Sequence, residues 1–319
     1  MRYDIEADWH FLNTCNYRCG YCFSSPEILG EKLRAHASPK QWQDAFDATG
    51  YTWLLHLTGG EPSIYPSFAK LSEALTERHF ISLNSNLSRP FQSFAERVDP
   101  TRVSFINAGF HFEERERRSD NAVFLTNAEL LRSKGFPLLV SIVATPSALA
   151  RFHEATDILA QIDIVPIPKV LRGPYNGQKF PEAYTDLDRA RFREFSGVAR
   201  EFYEPLLSKA SERPSIDMFR DDELLYAEPT FTGQSCDAGH LFVTIKPTGE
   251  VFRCSGPTLH GNILTGTFKR ARGPRPCNTR ACPYFCLKYV KPPAPRWRSF
   301  MPGFFNRFSH FTGNTGKSS

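Results

Sequence analysis

Within eight residues the chain places three cysteines, Cys15, Cys19 and Cys22, in the spacing C-x-x-x-C-x-x-C. Three thiols on so short a loop suit three irons of one 4Fe-4S cluster, for which cysteine is the usual ligand and whose face a single loop can wrap. The fourth iron is then left without a protein ligand. An open coordination position is where a metal site binds something that reacts, so three cysteines point to chemistry more than to bracing. Taken alone, the triplet also fits part of a zinc site or unpaired halves of disulfides, since a C-x-x-C step occurs in both.

A second stretch narrows the choice. Thr58-Gly59-Gly60-Glu61-Pro62 follows the apolar run Tyr51 to Leu57 and precedes a helix start at Pro66, which puts a glycine pair at a strand's C-terminal end. In these two stretches the chain resembles the radical S-adenosylmethionine (SAM) superfamily, whose signatures are this cysteine triplet and a G-G-E-P stretch after the second strand. The resemblance implies a TIM-like partial (β/α)6 barrel in which Cys15, Cys19 and Cys22 hold a SAM-binding 4Fe-4S cluster. By the same resemblance Tyr21 lies beside the adenine and Gly59, Gly60 and Glu61 meet the SAM amino group. The glycines, lacking side chains, let backbone carbonyls approach the ligand closely. In the superfamily an electron from the cluster cleaves SAM, and the resulting 5′-deoxyadenosyl radical abstracts hydrogen from a substrate.

The strand and helix signals agree with an α/β barrel. Strands are expected over Trp9 to Asn13, Tyr51 to Leu57, Phe80 to Leu83, Val103 to Ile106, Leu138 to Val143 and Ile162 to Ile167. Helices are expected from the cap Ser38-Pro39 to Gly50, from Pro66 through His79 with Phe68, Leu71 and Leu75 at helical spacing, and over Phe91 to Val98. Thr126-Asn127-Ala128-Glu129 reads as a capping box opening a helix that stops at Gly135, and Ser147 to Ala160 as another helix. Six such repeats imply a parallel sheet with right-handed crossovers, and active groups gather at the strands' C-terminal ends. There Asn84, Ser85 and Asn86 end the third strand, where they reach the methionine or ribose parts of SAM or simply form a turn. His111, with Glu113 and Glu114, follows the fourth strand; Lys169, Arg172 and Tyr175 follow the sixth. Each is a candidate to grip substrate, the two cations best suited to phosphate or carboxylate. Arg172 to Gly177 reads as a turn-rich loop, and Asp186 to Leu207 as one long helix bridging to a second unit.

That second unit carries the remaining cysteines. Cys236 and Cys254 flank a C-x12-G-x4-C hairpin built from Leu241 to Ile245 and the turn Pro247 to Glu250, and a hairpin returns its two ends to adjacent positions. It resembles the auxiliary-cluster domains called SPASM and Twitch. The seven cysteines of the SPASM pattern are reduced here to five, Cys236, Cys254, Cys277, Cys282 and Cys286, which implies one auxiliary 4Fe-4S cluster. Cys236, Cys254 and Cys286 are the firmer ligands, and Cys277 and Cys282 compete for the last place. A four-thiolate zinc ribbon is the structural alternative. The expected organisation is a radical SAM core over 1–175, a helical bridge over 176–229, an auxiliary unit over 230–290 and a tail over 291–319.

Composition bounds the rest. At 319 residues and 41% hydrophobic content the chain can bury a full core. Its N-terminus carries Asp4, Glu6 and Asp8 where a signal peptide would be basic and then apolar, and the run Phe136 to Ala144 is far short of the ~20 residues of a membrane span. A cytoplasmic protein is expected. After Glu250 there is no acid but there are twelve Lys and Arg, so with +5 overall the first 250 residues carry −7. An anionic cluster would absorb part of this excess; a solvated basic tail is the plainer reading. The tail's aromatics among arginines leave contact with an anionic membrane open, but Pro302-Gly303 breaks any long amphipathic helix there, and nucleic acid is not an expected partner.

The expected function is SAM-dependent hydrogen abstraction from a small polar or anionic metabolite such as a sugar, cyclitol or nucleotide, with the auxiliary cluster accepting an electron or binding substrate. An external donor such as flavodoxin or ferredoxin would supply electrons. The metabolite is preferred because the stretch before Cys15 has no room for a leader-binding domain. The alternatives are a maturase acting on a ribosomally made peptide or a protein side chain, and a noncatalytic electron carrier, which would not need Gly59-Gly60-Glu61.

Overall fold

The computed structural model describes residues 1–30, 37–207, 224–227, 230–279 and 289. The first half runs β1 (Ile5–Leu12), α1 (Pro26–Gly30), α2 (Pro39–Asp47), β2 (Trp53–Gly59), α3 (Phe68–Thr76), β3 (Phe80–Ser85), α4 (Gln92–Arg97), β4 (Val103–Gly109), α5 (Phe112–Arg118), α6 (Asn121–Ser133), β5 (Leu138–Ala144), α7 (Pro146–Ala150), α8 (Phe152–Ala160) and β6 (Ile167–Val170). Strands β1 to β6 pair in sequence order and in parallel, the partial (β/α)6 barrel expected above.

Alternation along β1 explains how the layers meet. Ile5, Ala7, Trp9 and Phe11 share one face, and all are fully buried. Trp9 packs on Trp42 and Phe46 of α2, with ring centroids 4.6 and 5.1 Å apart. That helix starts where expected, with Ser38 and Gln41 forming a capping box around Pro39. Burying each such aromatic contributes roughly 2–3 kcal/mol. The opposite face carries Glu6, whose carboxylate meets His56 Nε2 at 2.7 Å and accepts from the hydroxyls of Tyr3 and Tyr289 at 3.0 and 2.6 Å. Glu6 is satisfied inside the fold, so the acidic stretch before the apolar run Trp9 to Asn13 is part of the strand. The first strand therefore begins at Ile5, not Trp9.

After β6 come the small hairpin β7 (Gly173–Tyr175), within what read as loop, and β8 (Gln178–Phe180), just beyond it, and then α9 (Asp186–Leu207) at the expected bounds. This helix lies along β6 and α7: Phe195 stacks on Phe152 at 4.2 Å, and the Tyr203 hydroxyl donates to the Val165 carbonyl. The C-terminal strands are β9 (Ser235–Cys236), β10 (Phe242–Ile245), β11 (Glu250–Phe252), β12 (Leu259–Asn262) and β13 (Arg275–Pro276). The C-x12-G-x4-C hairpin is β10–β11 as expected, but β10 pairs in parallel with β1, from Glu6↔Phe242 to Trp9↔Ile245. Among the described residues the sheet thus has nine strands, and the hairpin continues it. An open barrel leaves the β1 edge with unpaired N–H and C=O groups, and β10 satisfies them.

Other differences are local. The sixth strand lies at 167–170 rather than 162–167, because Asp163 turns left-handed at φ 51° and the chain straightens only afterwards. The helix at 147–160 is two, divided at Arg151. Thr126 to Glu129 lie inside α6, which starts at Asn121; the Asn127 amide is used across the fold, donating to the Leu87 and Arg89 carbonyls. Helix α5 was not expected at all. No described helix is long and apolar enough to cross a membrane. Cys282, Cys286 and the 291–319 tail lie outside the described residues.

Candidate active site

The cysteine loop leaves β1 at the barrel's C-terminal rim, and α5 holds it there. The buried Glu114 carboxylate accepts from the Arg18 amide at 3.2 Å and is fixed by Arg117 and Arg118; Arg118 also donates to the Asn16 carbonyl at 2.7 Å. Arg115, fully buried, donates to the Asn86 carbonyl and to Asp120, while Asp120 takes the Tyr17 hydroxyl. Its guanidinium lies over the Phe124 ring at 4.3 Å. Glu114, read from sequence as facing substrate, thus serves the loop. On the loop's far side the Cys15 amide bonds the Leu29 carbonyl of α1 at 3.0 Å.

Gly59, Gly60 and Glu61 close the rim between β1 and β2. The Gly60 and Glu61 amides donate to the Leu12 and Thr14 carbonyls, both at 2.9 Å. A Cβ on Gly59 would stand 2.1 Å from the Leu12 carbonyl oxygen, and one on Gly60 1.9 Å from that of Thr14. The glycines are needed because two backbones of this chain touch, a nearer cause than approach to a ligand. Glu61 is buried and accepts from the Ser63 amide, the Ser85 hydroxyl and the Asn86 amide at 2.9, 2.7 and 2.7 Å. Burial pushes its carboxyl above the usual range, against the pull of those donors. Its visible work is to bind the end of β2 to the end of β3.

These elements enclose a cavity of about 380 Å³. It gathers Cys15, Cys19, Cys22 and Tyr21 from the loop, Gly59 to Glu61 from the end of β2, Asn84 to Asn86 from the end of β3, His111, Lys169 from β6 and Arg172 just after it. Of the candidates, Glu113, Glu114 and Tyr175 are not among the lining residues; the Tyr175 ring lies 3.8 Å from where a Gly20 Cβ would be. Tyr21 and His111 share a hydrogen bond of 2.7 Å, and burial, helped by Arg115, lowers His111 to about 3, so its imidazole is neutral. Sequence reasoning missed Asn107 and Ser141, which also line the cavity. The Asn107 amide donates to Asn84 Oδ1 at 2.9 Å and its oxygen accepts from Ser141 at 2.8 Å, a polar ladder across β3, β4 and β5. The available signal was a polar residue near the C-terminal end of each otherwise apolar strand.

The donor set fits an iron-sulfur cluster. Three cysteines, none in a disulfide, line one cavity. Burial pushes the Cys15 thiol up to about 11 and Cys19 up to about 12, so their thiolates need a metal to form near neutral pH. Among the described residues no three His, Cys, Asp or Glu side chains converge on a single-ion spacing. Thiolates bonded to different irons of a cubane need not converge so closely.

In the C-terminal part Cys236, Cys254 and Cys277 are all buried, at 4%, 8% and 9% exposure. Strands β9 and β13 pair antiparallel with Arg275 opposite Cys236, which sets Cys277 beside the Cys236 strand, and the Cys277 amide bonds the Gln234 carbonyl at 2.8 Å.

Comparison with known proteins places this geometry. Residues 9–151 match the sequence profile of the Radical SAM superfamily. The chain is 23% identical over 273 residues to mycofactocin maturase MftC of Mycobacterium tuberculosis, covering 82% of this chain and 67% of that one. In fold it is similar to Streptococcus suis SuiB, solved bound to the precursor peptide SuiA (TM-score 0.55, 16% identity, 84% of this chain). It spans 65% of the SuiB chain, under two thirds. It is also similar to anSMEcpe, solved with AdoMet and the Cp18Cys peptide (TM-score 0.53, 16% identity, 83% of this chain and 80% of that one). The cysteine triplet, the glycine rim and the partial barrel thus meet at one cavity within a radical SAM domain that spans residues 9–151 of this chain.

Proposed function

We propose that this enzyme is a maturase that acts on a side chain of a peptide or protein. The observation that carries the reading is the reach of the likeness to MftC: 82% of the chain, well beyond the 9–151 region that matches the superfamily profile. The peptide complexes of SuiB and anSMEcpe support it. The small metabolite preferred from sequence is the less supported reading, because it rested on the shortness of the segment before Cys15 and not on the site.

Cys15, Cys19 and Cys22 hold the SAM-binding cluster, and Cys236, Cys254 and Cys286 hold an auxiliary 4Fe-4S cluster with Cys277, which lies beside the Cys236 strand, taking the last place ahead of Cys282. When bound, the first cluster supplies the electron that cleaves SAM and so starts hydrogen abstraction. The chain's residues prepare the place. Gly59 and Gly60 set the rim, Glu61 fixes β3 against it, and the Asn84–Asn107–Ser141 ladder presents amides and a hydroxyl to SAM. Lys169 and Arg172, on the β6 side, face the substrate.

A second reading has one observation of its own. Over 86 residues the chain is 30% identical to a SAM-dependent nucleotide dehydratase of Psychrobacter lutiphocae, and two cations at the cavity suit phosphate. The test is anaerobic incubation of the reconstituted enzyme with SAM, reduced flavodoxin and either a degenerate synthetic peptide pool or a panel of nucleoside phosphates. 5′-Deoxyadenosine release with a peptide mass change is expected. Turnover with a nucleotide and none with peptides would sink the maturase reading.

A further inference from the structure

The residue before Cys254 is an arginine buried to 6% exposure. The Arg253 guanidinium donates from Nε to the Ala238 carbonyl at 3.1 Å, from Nη1 to the Pro276 carbonyl at 2.8 Å and from Nη2 to the Arg275 carbonyl at 2.8 Å. Ala238 stands two residues after Cys236, and Pro276 immediately precedes Cys277. One rigid fork therefore reaches all three described cysteine-bearing segments: its own, the loop after β9 and the end of β13. Five donors in fixed planar geometry suit this stitching, and no other side chain offers them.

The charge adds an independent argument. A buried cation is costly unless an anion compensates it. The partners of Arg253 are neutral carbonyls, and among the described residues no carboxylate lies within ion-pair distance of it. The chain supplies no Asp or Glu beyond Glu250. Asp237, itself buried beside Ala238, makes no ion pair with Arg253, and the cysteines carried by the three segments that the fork joins are Cys236, Cys254 and Cys277, whose thiolates are the anions a metal-loaded site would add there.

We infer that Arg253 is the positioning residue of the auxiliary site, holding three cysteine segments in ligand register by its guanidinium fork and supplying the countercharge to their thiolates. The inference rests on the auxiliary-cluster reading given above. It gives the electrically lopsided C-terminal segment a specific role, in which one of its arginines is internal and neutralises a metal centre. A cation beside an iron-sulfur cluster favours the electron-rich state, so the same residue raises the reduction potential of the centre.

The test uses the full chain, reconstituted anaerobically, as wild type and as a Cys15/Cys19/Cys22→Ala variant that isolates the auxiliary site, each with Arg253→Gln and Arg253→Lys. The isolating variant is expected to hold about four irons and wild type about eight. R253Q is expected to lose most of the auxiliary iron while the Cys15 loop keeps its own, with SAM cleavage as the check that the barrel is folded. Auxiliary clusters that do assemble in R253Q should titrate, by EPR-monitored reduction, at a lower potential. R253K, which keeps the charge without the fork, should restore the potential but not the occupancy. Full auxiliary iron at unchanged potential in R253Q would overturn the assignment of Arg253 while leaving the cluster reading intact. An isolating variant that binds zinc or no metal would overturn both.

Discussion

Gly60→Ala isolates one physical claim, that the rim of the site is set by contact between two backbones. Gly60 is not among the positive-φ positions, so alanine meets no conformational penalty there and the cost is steric. The new Cβ would lie 1.9 Å from the Thr14 oxygen and 2.6 Å from that of Asn13, and both neighbours are backbone. Reaching normal contact needs a separation of about 1.5 Å more, which breaks the Gly60–Leu12 and Glu61–Thr14 hydrogen bonds. Overpacking costs ~1–3 kcal/mol, and two lost bonds add ~1 kcal/mol each. The sum is about 4 kcal/mol, a fall in Tm of roughly 8 °C. Because Thr14 adjoins Cys15, iron occupancy of the first site should fall with it. Anaerobic scanning calorimetry and iron analysis read both, with Gly135→Ala as control: Gly135 has φ +81° and open space around it, so alanine there should cost only about 1 kcal/mol and leave iron unchanged. A G60A protein within about 1 kcal/mol of wild type, with full iron, would refute the reasoning.

Three further outcomes are expected. Glu114→Ala removes the acceptor of the Arg18 amide and the partner of Arg117 and Arg118; iron at the Cys15 loop should drop while the auxiliary iron persists, and unchanged occupancy would mean that the loop supports itself. Asn107→Ala breaks the ladder to Asn84 and Ser141, and the loss of about 1–2 kcal/mol should weaken SAM binding about five- to thirtyfold in anaerobic equilibrium dialysis, without loss of iron. Burial lowers His79 from 6.5 to about 4, so between those values the unfolded chain binds a proton that the folded chain refuses; its contribution is full above pH 6.5 and declines as pH falls, by about 1 kcal/mol between pH 7.5 and 5.5 in urea titrations, a slope that His79→Gln should flatten.

Much of the site was legible because the residues that carry it are local in sequence. The cysteine triplet, the Gly59-Gly60-Glu61 turn and the polar end of β3 each sit on one short stretch, and strand alternation with caps such as Ser38 placed them at one end of a barrel. Where reading failed, a distant partner had changed the meaning of a residue. Glu6 is a strand residue because His56, fifty positions on, is there to meet it. Asn127 looked like part of a helix cap and is instead a tertiary amide, and Glu114 looked like a substrate contact and is a latch.

The sequence by itself determined the chemistry class and the barrel, since cluster ligation and a six-fold strand–helix alternation depend on spacing along the chain. Only the tertiary structure decided which backbones require the glycines, that α5 holds the cysteine loop, that the C-terminal hairpin extends the barrel sheet through β1, and that Arg253 joins three cysteine segments. Each of these is a contact between residues far apart in the chain. Spacing within one segment carries no trace of such a contact, because burial and hydrogen-bond satisfaction are properties of the assembled fold.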